Sequence, residues 1–295
     1  MQSNNPVFRR SEEFSRAGGG NQTYAGYGDP STWSTGQPGQ PGQPAQTGQG
    51  NQPGYGQAPQ APVSTDRMTI DTVVQKTAIS LGVVIITALA TWILTPEVTE
   101  LTPASELGSL FAAVTIGSLG AFALSMVLSF KKVISPALVL VFAVLEGVAL
   151  GGISKLFNLM YGGGVVQGAV IGTFAAFAGT LAVYKFFNIK VGAKFQRMVM
   201  AGVFGMIGLS VMELVLGAFN AQIGLFGVSG IGMITAFAGL ALGVFMLIMD
   251  FDFVEQGVAN GLPERESWRA AFAMTVSLVW IYTNLLRILA FFSQD

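Results

Sequence analysis

Seven side chains set in apolar surroundings carry the chemistry of this sequence. Glu146 lies in the run Ala143-Val144-Leu145-Glu146-Gly147-Val148-Ala149-Leu150-Gly151, and Glu213 in a second apolar run. Asp250 and Asp252 stand in Met249-Asp250-Phe251-Asp252-Phe253-Val254-Glu255. Further on, Ser277, Asn284 and Arg287 share with Trp280 the spacing i, i+3, i+7, i+10, one stripe of a helix. Carboxylates and hydroxyls are the oxygen ligands a hard cation prefers, and carboxylates also carry protons. The chain has no cysteine and no histidine. Thiolate nucleophiles, Ser-His catalysis and Cys or imidazole metal sites are therefore excluded, and any response near neutral pH falls to carboxylates.

An ionisable group in hydrocarbon costs about 2.5–3.5 kcal/mol on insertion scales, so it faces a partner or water. Glu146, near the middle of its run, reads as a cation or proton site, or as a carboxylate tied to a hydroxyl of a neighbouring helix. Glu213 lies nearer one end of its run, where a snorkelling or cavity-lining role competes with a cation site. Asp250 and Asp252 are placed at the end of their helix, about 200° apart around the axis. Acids there oppose the helix macrodipole. That arrangement suggests a cation site or an ion pair with Arg265 or Arg269. Arg287 either faces the bundle interior with Ser277 and Asn284 or snorkels toward Asp295, and the shared stripe favours the interior.

These residues need a frame that keeps them from water, and the composition supplies one. Of 295 residues, 51% are hydrophobic and only 11% charged, with a mean hydropathy of +0.57. Soluble domains carry about 25% charged residues, so a lipid bilayer is the solvent this chain is built for. The formal net charge of −1 and the lack of a basic stripe argue against nucleic acid.

Seven apolar runs approach the ~20 residues a bilayer requires, at 75–95, 107–130, 134–157, 165–187, 197–219, 229–252 and 269–292. Pro96 and Pro103, Ser135-Pro136, Gly162-Gly163-Gly164 and Gly261-Leu262-Pro263 mark breaks between them. Strict apolar–polar alternation, the mark of a β-barrel strand, is missing. The pairs Gly147/Gly151, Gly168/Gly172 and Gly239/Gly243 put small residues on one helix face and predict close packing.

Lys and Arg alternate across the gaps. Arg67, Lys76, Lys131, Lys132, Lys185, Lys190, Lys194, Arg197, Arg265 and Arg269 fall on one side; Glu97, Glu100, Glu106 and Lys155 fall on the other. The positive-inside rule places the N-terminus in the cytoplasm and, with seven spans, the C-terminus outside. Residues 1–68 differ in kind. Their Pro/Gly/Gln repetition predicts a disordered cytoplasmic tail, with a membrane protease or tail-binding protein as its candidate partner. Residues 69–295 form the transmembrane domain.

Glu146-Gly147 with Leu150-Gly151 and Ile153-Ser154, the segment Met249–Gly257, and Leu278–Leu289 around Trp280, Asn284 and Arg287 together resemble the transmembrane Bax inhibitor motif (Bax inhibitor-1) family. The likeness extends to its bacterial YccA-like branch, which opens as this chain does with Asn5-Pro6-Val7-Phe8. The resemblance implies an all-α fold of six helices around a central seventh, a bacterial inner-membrane location, and a proton-sensitive calcium leak. It also implies a pair of aspartates on the last two helices that share a proton. Asp250 matches the first, with Asp252 an alternative, while the second falls on Ser277 or Asn284, neither acidic. The resulting expectation is a non-enzymatic membrane protein, without cofactor, whose interior carboxylates bind or pass Ca²⁺ or H⁺. The alternative is a non-conducting regulator or a partner of a quality-control protease.

Overall fold

A computed structural model describes residues 67–96, 107–187, 189–221, 223–228 and 230–294. Seven helices follow one another: α1 Ile70–Leu94, α2 Gly108–Phe130, α3 Pro136–Tyr161, α4 Gly163–Phe186, α5 Ala193–Ala218, α6 Ile231–Ala259 and α7 Glu266–Phe292. Each is long and apolar enough to cross a membrane. No strand occurs among the described residues beyond an isolated bridge between Arg67 and Pro263. The tail up to residue 66 and the first loop at 97–106 lie outside the described residues.

Local chemistry sets the helix ends. Helix α1 starts five residues before the apolar run because Thr69 and Thr72 form a reciprocal capping box, each side chain accepting from the other's backbone N–H. Pro136 opens α3 in the first-turn position that suits its missing N–H. Gly162, at φ +88°, turns the chain from α3 into α4 in a conformation disfavoured for side-chain-bearing residues.

Helix α6 overturns one expectation. It continues to Ala259 instead of closing at Asp252, because Val254 and Gly257 extend its buried face beyond the acids. Asp250 and Asp252 are thus interior to the helix. The macrodipole acts mainly within the last turn, so it is not what these two acids oppose.

Helix α7 is the centre of the bundle, packing against α1, α3, α4 and α6; α2 leans on α3 and α5 on α6. The main core joins Leu247, Phe251 and Phe253 of α6 to Leu278 and Ile281 of α7. Small residues permit the closest approaches. A Cβ on Gly147 would meet Thr87 and Val84 of α1, and one on Gly239 would meet the Asn284 amide of α7. Outward faces stay apolar, with Ile86, Ile116, Ile171 and Phe204 all exposed, as contact with lipid requires.

Polar clasps close both ends. At the basic end, Met68 N donates to Leu262 O at 2.7 Å, and Lys76 Nζ pairs with Glu264 at 2.5 Å. There too Thr72 and Ser267 share a hydroxyl hydrogen bond of 2.8 Å. At the far end, Lys155 Nζ donates to Trp92 O at 2.8 Å and Thr95 O at 2.6 Å. It thereby satisfies the carbonyls left unpaired where α1 stops.

Candidate functional site

The centre of the site is one contact between the two most buried helices. Asp250 of α6 is 5% exposed and Ser277 of α7 fully buried, and Ser277 Oγ donates to Asp250 Oδ2 at 2.6 Å. It is the one hydrogen bond that the Asp250 side chain makes among the described residues. The α6 register brings a carboxylate to α7, and the α7 register answers it with a hydroxyl.

Asp252 points elsewhere, as its 200° rotation from Asp250 requires. It accepts from Gln256 Nε2 at 2.6 Å, one turn further along α6. Glu255 accepts from Tyr184 OH of α4, also at 2.6 Å. The ion pair considered for Asp250 or Asp252 with Arg269 does not form. Arg269 is fully buried against Glu266, at 2.7 Å from Nε to Oε2, and its Nη2 donates to Lys132 O at 2.8 Å.

Glu146 is half-buried on α3 and has no hydrogen-bonding or ionic partner among the described residues. The hydroxyl tether considered for it is thus not made there. Phe142, one turn before it, packs edge-on against Phe272 of α7 at 5.0 Å between ring centres. The turn bearing Glu146 therefore follows one that touches the central helix.

The remaining residues gather at the far end. Glu213 accepts from three backbone amides of the α5–α6 loop, Ile223 at 3.4 Å, Gly224 at 2.7 Å and Leu225 at 3.2 Å. Arg287 reaches the same loop from the bundle interior. Its Nη2 shares two hydrogens among four acceptors, the loop carbonyls Leu225 O at 3.1 Å and Gly227 O at 3.4 Å and, in the first turns of α6, Gly232 O at 2.6 Å and Thr235 Oγ1 at 2.8 Å. Phe226 stacks on the guanidinium at 5.3 Å. Asn284 Oδ1 accepts from Arg287 Nη1 at 3.3 Å, and Asn284 Nδ2 donates to Trp280 O at 2.7 Å. The α7 stripe thus serves two places. Ser277 meets Asp250, while Arg287, oriented by Asn284, holds the loop about 15 Å further along, at 1.5 Å per residue.

A family model described as Bax inhibitor 1 like matches residues 5–294, nearly the whole chain. The chain belongs to the Bax inhibitor 1 like family. No curated protein matches the sequence. In this Bax inhibitor 1 like protein, the contact between α6 and α7 at Asp250 is a carboxylate–hydroxyl pair.

Sequence reasoning missed many polar contacts of this Bax inhibitor 1 like bundle, among them four that join side chains by charge or hydroxyl. These are Lys76–Glu264, Glu266–Arg269, Tyr184–Glu255 and the Ser154–Tyr282 hydroxyl pair at 2.6 Å. Glu266 and Arg269 stand i, i+3 on one helix, a spacing that could have revealed their pairing. The other three join segments distant in sequence, and no local spacing signals them.

Proposed function

We propose that this family member conducts a cation, Ca²⁺ or H⁺, through a pathway that uses Asp250 and Glu146, without enzymatic chemistry. The observation that carries this reading is the Asp250–Ser277 contact: a carboxylate buried between two membrane-spanning helices, with one hydroxyl as partner. Such a group is costly in hydrocarbon, and one hydroxyl leaves most of its acceptor capacity uncommitted. Glu146 adds a second carboxylate with no partner among the described residues. Among those residues no three acidic side chains converge on one point. Ca²⁺ takes six to eight oxygens when held, so this arrangement suits an ion in passage rather than one in residence.

The alternation of Lys and Arg supports a cytoplasmic basic end and an outward-facing loop at 220–230. The likeness to the bacterial branch supports the inner membrane as the location. On this reading, conduction requires release of the Lys76–Glu264 contact at one end and of the Arg287-bound loop at the other.

The test is Ca²⁺ flux into proteoliposomes between about pH 5 and 8. Asp250→Asn and Glu146→Gln should each lower flux about tenfold, the effect of about 1.4 kcal/mol on a barrier. In wild type no second carboxylate stands beside Asp250 among the described residues. Ser277→Asp sets a second carboxylate beside Asp250, and coupled carboxylates titrate in two steps. Flux unchanged in both neutralising variants would end the interior-carboxylate reading. An absence of flux at any pH would leave a non-conducting regulator.

A further inference from the structure

Helices α1 and α4 both pack on α3 and α7 but hardly on each other. The gap between them is a crevice of about 310 Å³, within the about 300–1,000 Å³ range of ligand sites. Its rim is formed by Ile85 and Leu89 of α1 and Val170 and Phe174 of α4, residues that line the crevice while remaining 41–57% exposed. The mouth therefore opens sideways, toward the lipid face. Its floor includes Gly151 of α3 and Leu278 and Val279 of α7.

The polar groups on the lining limit what can enter. No charged residue lines the crevice. Thr173 Oγ1 donates to Ala169 O at 2.7 Å, and Ser154 Oγ donates to Leu150 O at 2.5 Å. Ser154 has a single hydrogen, so Tyr282 is the donor in their 2.6 Å contact. All three hydroxyl hydrogens are spent. The one remaining side-chain donor is the Trp92 indole N–H, which has no partner among the described residues. Trp92 lies in the last turn of α1, where a membrane-spanning helix meets the headgroup boundary and tryptophan is favoured.

We propose that the crevice holds one acyl chain of a bilayer phospholipid, its tail against α3 and α7 and its ester carbonyl within reach of Trp92. An apolar void of this size would be rare in a packed interior, and the medium at its mouth is hydrocarbon. With no charged group on the lining, the site reads the chain and is indifferent to the headgroup. The inference is independent of the cation reading.

The experiment places the full-length protein in liposomes with a trace of phosphatidylcholine bearing a diazirine in mid-chain, followed by photolysis and peptide mapping. Crosslinks should concentrate on 85–92 and 166–174, above those at outward residues such as Ile116 and Phe204. Val166→Trp, which fills the crevice, should lower labelling there about tenfold, whereas Ile116→Trp on the open lipid face should not. Ala88→Leu is the milder filler should Val166→Trp fail to fold. Phosphatidylglycerol and phosphatidylethanolamine probes with the same tail should label equally. Uniform labelling of all lipid faces, full labelling in both fillers, or labelling by one headgroup alone would each overturn the proposal.

Discussion

Asp250 and Glu213 are both acids on apolar helices, yet their surroundings are opposite. Glu213 sits near the end of α5 with its carboxylate spread over three amides of one loop. Arg287 takes that loop's carbonyls from the other side, so an anion and a cation hold the same dozen residues without a bond between them. Asp250 lies deep between α6 and α7 and accepts one hydroxyl. A carboxylate saturated by backbone N–H groups fixes a backbone; one with unused lone pairs can still take a proton or an ion. Glu213 belongs to the frame, and the proposed chemistry stays with Asp250.

The frame should break most visibly at Arg287. Arg287→Met takes the guanidinium away from the carbonyls of Leu225, Gly227 and Gly232, leaving the hydroxyl of Thr235 as the one side-chain donor to Leu225 and Gly232 and none to Gly227. An acceptor left without its donor costs about 1–3 kcal/mol, and the shared loss over these carbonyls should lower the melting temperature of the detergent-solubilised protein by about 10 °C. Arg287→Lys should recover only part of this, because an ammonium cannot spread donors as a guanidinium does. A melting temperature unchanged in Arg287→Met would mean that the loop stands without its cation.

Glu213→Ala should have a smaller effect of the same kind. Three amides lose their acceptor, but they lie closer to water than the carbonyls beneath Arg287, and the expected loss is about 1–3 kcal/mol. The signature is local: amide exchange at 223–225 should quicken while the α6–α7 core holds its protection. Glu213→Gln keeps one acceptor oxygen and should fall between wild type and Glu213→Ala. If exchange is unaltered in Glu213→Ala, the carboxylate is not what holds the loop and the contrast with Asp250 loses one side.

The frame was far more legible in the sequence than the division of labour between these acids. Seven apolar runs, the Ser135-Pro136 start and the triple glycine at 162–164 located the helices, since lipid permits few alternatives to a helix. The i, i+4 glycine pairs read as packing faces, and Gly147 and Gly239 do meet neighbouring helices closely. The end of α6 was misplaced because charge at 250, 252 and 255 resembles a membrane boundary, whereas burial of Val254 and Gly257 continues the helix to Ala259. Spacing put Ser277, Asn284 and Arg287 on one stripe. It could not show that the stripe changes partners along its length, because those partners come from α6 and from the α5–α6 loop. Lys155 read as a lone loop charge; its pairing with the end of α1 joins residues 60 apart or more in sequence and has no local signature.

The smallest expected effect on stability is the most informative. Asn at position 250 has nearly the shape of Asp, and its amide oxygen can still accept from Ser277 Oγ, so the helix contact survives. What disappears is an ionisable group in a dry place, and exchanging such a group for a neutral one of similar volume is often neutral or stabilising. Asp250→Asn should therefore melt within about 1 kcal/mol of wild type, or above it, while its ion flux falls. Glu213→Gln changes the same chemical group and should show the reverse, a lower melting temperature with flux through the remaining bundle largely kept. Measured side by side in one detergent and one liposome preparation, the two amide variants separate an acid that holds the fold from one that the fold holds in reserve. Should Asp250→Asn unfold as readily as Arg287→Met, the carboxylate itself holds the helices together and is no more available than that of Glu213.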